Sequence, residues 1–417
     1  MAENQPLRGK RTHENRMTSI TSFEAFDSRL REFIAAMNPP PAPPEEGSKA
    51  SDAHRRFPSW EGSGAGWFMS SEAEFNRLAL ALFGLQFAHV EPYRRFCEAR
   101  RITPDKINVW SEIPAIPAAA FKGFDLTSVP IAERSTVFHS SGTTGQRPSR
   151  HFHNAASLAL YEASLLPWFK AHLLPDAEAF GFVILAPSPV LAPHSSLAHM
   201  FETVRRDLGP RDSHFSAKID GTGAWTLDID ATLDALGKSM ETDLPVALLG
   251  TAFSFVHLLD HLSARPLRFA LPLGSRVMET GGYKGRSRTL PRAELHALIT
   301  RYLGIPHSHI VCEYGMSELS SQAYDRVAGR HAPRFNAPTP QPLFHFPPWA
   351  RARVVSPETG GEVAQGETGL IQVCDLANVR SVMVIQTEDL AVRRGDGFEL
   401  IGRAELAEPR GCSLMNS

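Results

Sequence analysis

The chain has 417 residues, 42% of them hydrophobic, which is enough to bury a large core in two or three subdomains. Its 43 basic residues against 45 acidic ones leave a net charge of −2, without the basic field of a dedicated nucleic-acid binder. Four cysteines in no CxxC spacing exclude a disulfide scaffold, and no apolar run approaches the roughly 20 residues that span a bilayer. The first 19 residues are polar and have no signal-peptide core, so the sequence predicts a soluble, cytoplasmic protein with a disordered start.

In chain order, the first expected element is an amphipathic helix. Phe23, Phe26, Leu30, Phe33, Ile34 and Met37 recur at three- and four-residue spacing behind Thr21 and Ser22, which are suited to cap it. Pro39-Pro40-Pro41-Ala42-Pro43-Pro44 stops it, and the polar stretch to Arg56 completes a linker. Such a helix can dock on the body, bind a partner or touch a membrane surface. From Ser71 the spacing predicts one long helix through Phe75, Leu78, Leu82 and Phe83 to Tyr93 and Phe96. Buried strands are expected at 182–185, 246–250 and 310–312, and a helix from Thr289 with Pro291 in its first turn. Strands alternating with helices predict an α/β fold. Residues 350–403 are punctuated by glycine and strand-like at 353–355, 369–373 and 398–401, which predicts a smaller β-rich part.

The strand-like Val137-Phe138-His139 runs into Ser140-Ser141-Gly142-Thr143-Thr144-Gly145, four hydroxyls and two glycines in six positions. Glycines let a backbone approach a phosphate and turn its N–H groups inward, and hydroxyls add donors. Arg147 and Arg150 could add positive charge. The GxxxxGK[ST] spacing of a Walker A loop is absent.

This hexapeptide resembles the phosphate-binding signature of the adenylate-forming superfamily. Met278-Glu279-Thr280-Gly281-Gly282 is similar to its adenine-side glycine loop, and Glu313-Tyr314-Gly315-Met316-Ser317-Glu318 to its YGxTE motif. Gln386-Thr387-Glu388-Asp389-Leu390, with Gly402-Arg403 after it, is similar to its TGDL and GR motifs. The finer pattern of FHSSGTTGQRPS, LGTAFSF, METGGYKGR, EYGMSELSSQ and GRAELAEPRGCSL resembles the LuxE-type acyl-protein synthetases, from about residue 65 to the C-terminus. The resemblance implies an adenylate-forming N-terminal domain over 61–417, with α/β subdomains and the β-rich 350–403, ending in a tail at 404–417. The usual C-terminal mobile domain, with its lysine, is then expected to be lacking. Residues 1–60 lie outside it.

The activity so implied is ATP- and Mg²⁺-dependent conversion of a carboxylic acid, a long-chain fatty acid by the resemblance, to its acyl-adenylate and then to a cysteine thioester. Ser140, Ser141, Gly142, Thr143, Thr144 and Gly145 would hold phosphates, with Gly281, Gly282, Tyr314 and Gly315 against the adenine. Ser317 would contact the α-phosphate and Glu318 would help hold Mg²⁺. Asp389 would accept from the ribose hydroxyls, with Arg403 as a second nucleotide contact. Cys412 would take the acyl group, since a thiol forms a thioester that stays reactive. Cys97, Cys312 and Cys374 sit in apolar contexts and read as core. Lys284 and Arg286 could serve phosphate or stay solvated, and His194 and His199 could line an acyl pocket or be core histidines. A reductase or acyltransferase is the implied partner. Two rivals stay open: a ligase that passes the acyl group to CoA or a carrier thiol, and a non-catalytic nucleotide- or acyl-binding subunit.

Overall fold

The computed structural model describes residues 20–37, 65–140, 147–176, 180–209, 213–221, 223–281, 290–330 and 342–403. Helix α1 (Phe23–Met37) buries Phe23, Phe26, Leu30, Phe33 and Ile34, the apolar stripe of the sequence. The Ser22 hydroxyl accepts the Ala25 N–H at 3.2 Å and so caps it. Of the three roles open to this helix, docking is the one observed. Arg380 reaches Glu24 and Asp27, both at 3.3 Å, and its guanidinium lies 4.4 Å from the Phe23 ring centre.

The long helix expected next is two helices, α2 (Ala65–His89) and α3 (Glu91–Ala99), parted at Val90. Pro92 is the reason. It has no N–H and fits a helix only in its first turn, so the apolar spacing continues while the hydrogen-bond ladder restarts. The chain then passes through β1 (Ile116–Pro117) and α4 (Ala120–Gly123) into the hairpin β2 (Thr136–His139) and β3 (Arg150–His153). Next come α5 (Ala155–Leu173), β4 (Gly181–Leu185), α6 (Ser196–Leu208), β5 (His214–Phe215), β6 (Ala217–Ile219), β7 (Trp225–Leu227) and α7 (Ile229–Thr242). The unit closes with β8 (Val246–Thr251), α8 (Ala252–Ala264), β9 (Arg276–Thr280), α9 (Arg292–Leu303), β10 (Ile310–Tyr314) and β11 (Ala323–Tyr324).

These strands form a six-stranded sheet in the order β11-β10-β9-β8-β4-β5, parallel except for the β10–β11 pair. Alternate residues go to opposite faces of a strand, and here both faces are buried. Val183, Leu185, Val246, Leu248, Val277 and Ile310 pack with Val256, Leu259, Leu295 and Ile299 of α8 and α9. Their neighbours Phe182, Ile184, Ala247, Leu249, Met278 and Val311 share the other core with Leu165, Phe169 and Phe201 of α5 and α6. A parallel sheet with helices on both faces is the α/β fold that the alternation of elements predicts. Helix α9 begins after Pro291, which stands at its N-cap without a side-chain cap, and ends on Gly304 in the left-handed region at φ 71°. Thr289, the expected cap, lies outside the described residues.

The β-rich part is a second sheet, β1-β14-β13-β12 with β15 on the other side of β14's far end, built from β12 (Ala350–Val355), β13 (Thr368–Asp375), β14 (Val384–Arg394) and β15 (Gly397–Arg403). Its longest strand, β14, carries the Gln386–Leu390 motif and is missing from the three strands read in the sequence. Gln386, Thr387, Glu388 and Asp389 are an unbroken polar run that hides its alternation. No helix of the described residues is long and apolar enough to cross a membrane.

Candidate active site

In an open parallel sheet, binding groups gather beyond the carboxyl ends of the strands. Strand β9 ends at Thr280, followed by Gly281 at φ 71°, a left-handed conformation that glycine adopts without cost. Beside it β10 ends at Tyr314, with Glu313 opposite Thr280 in register. The Thr280 hydroxyl donates to the Glu313 carboxylate, and burial pushes that carboxyl up to about 7.

Tyr314 joins the two sheets. Its phenol donates to Asp389 Oδ2 at 2.8 Å, and its ring meets Phe344, Phe346 and Phe398 edge-on at 6.1, 6.2 and 5.6 Å. Asp389 stands opposite Arg403 in the β14–β15 ladder, with Arg403 Nε 4.0 Å from its Oδ1. The Arg403 guanidinium, 70% exposed, also reaches Glu388 at 3.3 Å. Burial raises the Asp389 carboxyl above its ordinary range, against the pull of the Tyr314 hydrogen bond and the Arg403 charge. Burial likewise lifts the Tyr314 phenol well above its usual value, so it stays a donor.

Ser317 and Glu318 follow β10 on a loop held from three sides. The Ser317 hydroxyl donates to Glu318 Oε2 at 3.1 Å, and Asn378 Nδ2 donates to the Glu318 carbonyl at 2.8 Å. Behind them Asp375, buried completely, accepts from the N–H groups of Ser320, Ser321 and Ala377 at 2.9, 2.8 and 3.0 Å. Its Oδ1 also takes the Ser321 hydroxyl at 2.7 Å. The third tie comes from the hairpin. His151 of β3 sets Nδ1 2.9 Å from the Ser317 carbonyl. Burial pushes His151 down to about 4, so it is neutral, and since a carbonyl only accepts, Nδ1 carries its proton.

The same hairpin flanks the hydroxyl-rich hexapeptide. Ser140 closes its base: its Oγ accepts the Ser149 N–H at 3.0 Å and its own N–H donates to the Ser149 carbonyl at 3.4 Å. Arg150 is not a free charge for phosphate, because Asp125 holds it at 2.8 Å. Ser141, Gly142, Thr143, Thr144, Gly145, Gly282, Lys284, Arg286 and Cys412 lie outside the described residues. Gly315 follows Tyr314, where a Cβ would overlap a carboxylate oxygen of Glu313.

The structure therefore brings together Tyr314, Asp389 and Arg403, and separately ties the Ser317–Glu318 loop to the hairpin whose connecting segment begins at Ser140. His194 stacks on His139 at 4.4 Å beside this hairpin, whereas His199 is half-buried against Phe138 and Tyr161 at 5.4 and 5.7 Å. Cys97, Cys312 and Cys374 are buried, as their apolar contexts imply. Sequence reasoning passed over His151, Asp375 and Asn378. The RHFH alternation around His151 signals a strand, but no spacing links any of the three to the loop it holds.

Residues 68–417 match the family model described as acyl-protein synthetase, LuxE. The chain belongs to that family. It is 22% identical to the long-chain-fatty-acid–luciferin-component ligase of Aliivibrio fischeri, over 84% of this chain and 89% of that protein. In fold it is similar to an open conformation of 2-hydroxyisobutyryl-CoA ligase solved with 2-HIB-AMP and CoA. That match has a TM-score of 0.55 at 16% identity and covers 81% of this chain and 77% of that one. It spans 50% of MatB from Rhodopseudomonas palustris, at 19% identity over 67% of its own length and a TM-score of 0.44. As a LuxE-family acyl-protein synthetase, the chain has a mixed α/β fold that resembles that of the CoA ligase at a TM-score of 0.55.

Proposed function

We propose that this LuxE-family chain activates a long-chain fatty acid with ATP and passes the acyl group to Cys412 as a thioester. The observation that carries the reading is the Tyr314–Asp389 hydrogen bond of 2.8 Å, which ties the strand-end motif of one sheet to the acidic motif of the other. A nucleotide held at this junction would meet an aromatic ring, a carboxylate for its ribose hydroxyls and the Arg403 guanidinium. The name of the Aliivibrio fischeri relative supports a fatty acid as the substrate.

A carboxylate is a poor electrophile, and transfer to AMP makes its carbonyl carbon attackable. The carboxylate oxygen attacks the α-phosphorus and pyrophosphate leaves. The Cys412 sulfur then attacks the carbonyl carbon and AMP leaves, while the thiol proton passes to solvent. Alignment and charge stabilisation are the protein's share. Ser317 would donate to the α-phosphate, and Ser140 to Gly145 would hold the phosphates that leave. Glu318 fits Mg²⁺: one carboxylate oxygen accepts from Ser317, and the other takes no hydrogen bond among the described residues. Bound there, Mg²⁺ would neutralise phosphate charge. A reductase or acyltransferase would receive the acyl group.

The test is intact-protein mass spectrometry after incubation with ATP, Mg²⁺ and a panel of fatty and aryl acids, with Cys412→Ala in parallel. The expected result is an acyl-sized, hydroxylamine-labile mass gain on the wild type alone. Pyrophosphate release with no adduct on either protein would move the acceptor to CoA or a carrier thiol. The absence of both adduct and pyrophosphate would overturn the reading.

A further inference from the structure

We propose that Glu279, His296 and Cys312 form a second metal site, for a zinc-class divalent ion, on the face of the sheet turned away from Thr280 and Glu313. Glu279 and Cys312 stand opposite each other in the parallel β9–β10 register, and their side chains meet each other and His296 of α9. His296 lies on the buried side of α9, with Nε2 3.2 Å from Glu279 Oε1, and the Cys312 thiol meets that same oxygen. The ligand atoms of all three residues lie within 4.8 Å of one another, and all three residues are buried.

Val277 and Ile310, two residues before Glu279 and Cys312 on their strands, and Leu295 and Ile299 of α9 belong to the apolar core between the sheet and α9. A carboxylate, an imidazole and a thiol gathered in such a core are costly as packing and suitable as ligands. One sulfur, one nitrogen and one oxygen donor match zinc and its neighbours in the transition series, whereas Mg²⁺ and Ca²⁺ take oxygen. A thiolate, a carboxylate and a neutral imidazole offset a 2+ charge. Binding would displace the Cys312 S–H proton to solvent as the metal–sulfur bond forms, with no redox change. The nearby cation, Arg292, is one turn before His296; it faces the Cys312 thiol as well as Asp325, which it reaches at 3.7 Å, so metal binding would turn its guanidinium fully onto Asp325. Asp325 in turn accepts the Cys312 N–H at 2.8 Å. The fourth position falls to water or to His307, whose ring centre is 5.1 Å from that of His296. The ion would pin β9, α9 and β10 to one another directly behind Gly281 and Tyr314.

The test uses the full chain, expressed with added zinc and purified without metal-affinity resin or chelator. Metal content is read by inductively coupled plasma mass spectrometry, and cobalt exchange by the thiolate-to-Co²⁺ charge-transfer band. The expected result is about one zinc per chain and a cobalt band. Cys312→Ser and His296→Gln should each lower occupancy at least about tenfold, while Cys412→Ser keeps both signals. A wild type with less than about a tenth of an equivalent of zinc and no cobalt band would overturn the site. So would metal retained by both ligand variants. The wild-type readings decide the matter even if a variant fails to fold, and none depends on acyl transfer.

Discussion

Tyr314→Phe isolates the bond on which the candidate site turns. Tyr314 is 7% exposed and the Asp389 side chain 20%, so water replaces the lost donor poorly. A hydrogen bond to a charged partner contributes about 1.5–3 kcal/mol, and that is the expected cost at pH 7.5. For a chain of this length it amounts to a fall in Tm of about 2–3 °C. Its pH dependence is more telling. Asp389 has a raised pKa in the folded state, so its contribution is most favourable in acid and fades as pH rises through that value. The phenol limits the loss by stabilising the ionised form. Without it the folded pKa rises further, so the variant should suffer most above neutrality and approach the wild type below about pH 4. Urea midpoints for wild type, Tyr314→Phe, Asp389→Asn and the double variant, taken between pH 8 and 4, give the coupling energy at each pH. Coupling under about 0.5 kcal/mol at pH 7.5, or a cost independent of pH, would refute the reasoning.

Acid should loosen the tie between hairpin and loop. His151 and His172 are each pushed down to about 4 by burial, so the stability they confer is present above about 6.5 and lost as pH falls toward 4. Between pH 7 and 5 each contributes about 2 kcal/mol to that loss, and His151→Asn should remove one such share in urea titrations. Asp375→Asn places an amide against four donors and should cost about 3 kcal/mol or more; thermal shift would show it, and a loss under about 1 kcal/mol would contradict the burial argument. Gly281→Ala meets nothing within 4 Å yet forces a side chain onto φ 71°, so about 1–2 kcal/mol should be lost through the backbone alone. Gly281→Asn should lose less, because asparagine tolerates that conformation.

The fold was legible where the signal is local. Apolar runs at 182–185, 246–250 and 310–312 became β4, β8 and β10, and the α1 stripe became its buried face. It was obscure where a polar function interrupts the pattern. Strand β14 carries Gln386 to Asp389 through the interior of the second sheet toward the candidate site, so its alternation does not read as strand. The α2–α3 break was hidden because Pro92 leaves the apolar spacing intact while restarting the ladder. Within the site, Tyr314, Ser317, Glu318 and Asp389 could be named from motifs, since each lies in a short string of residues. Asp375, Asn378 and His151 could not, because they act through contacts between chain segments that only the tertiary fold joins.

The two strands at the centre of the candidate site show how one sheet end can combine an apolar scaffold with paired polar groups. Val277 and Met278 of β9, like Ile310 and Val311 of β10, are apolar on both faces and lock the strands between helix layers. One step on, at matched register, both strands turn polar on both faces: Glu279 and Cys312 toward α9, Thr280 and Glu313 away from it. Polar groups on one face alone would suit a ligand there and leave the other as core. Paired on both, they satisfy each other across the β9–β10 boundary, which fixes the spacing of the strand ends. That spacing sets where Gly281 and Tyr314 emerge, and through the Tyr314 phenol it sets where Asp389 of the second sheet comes to rest.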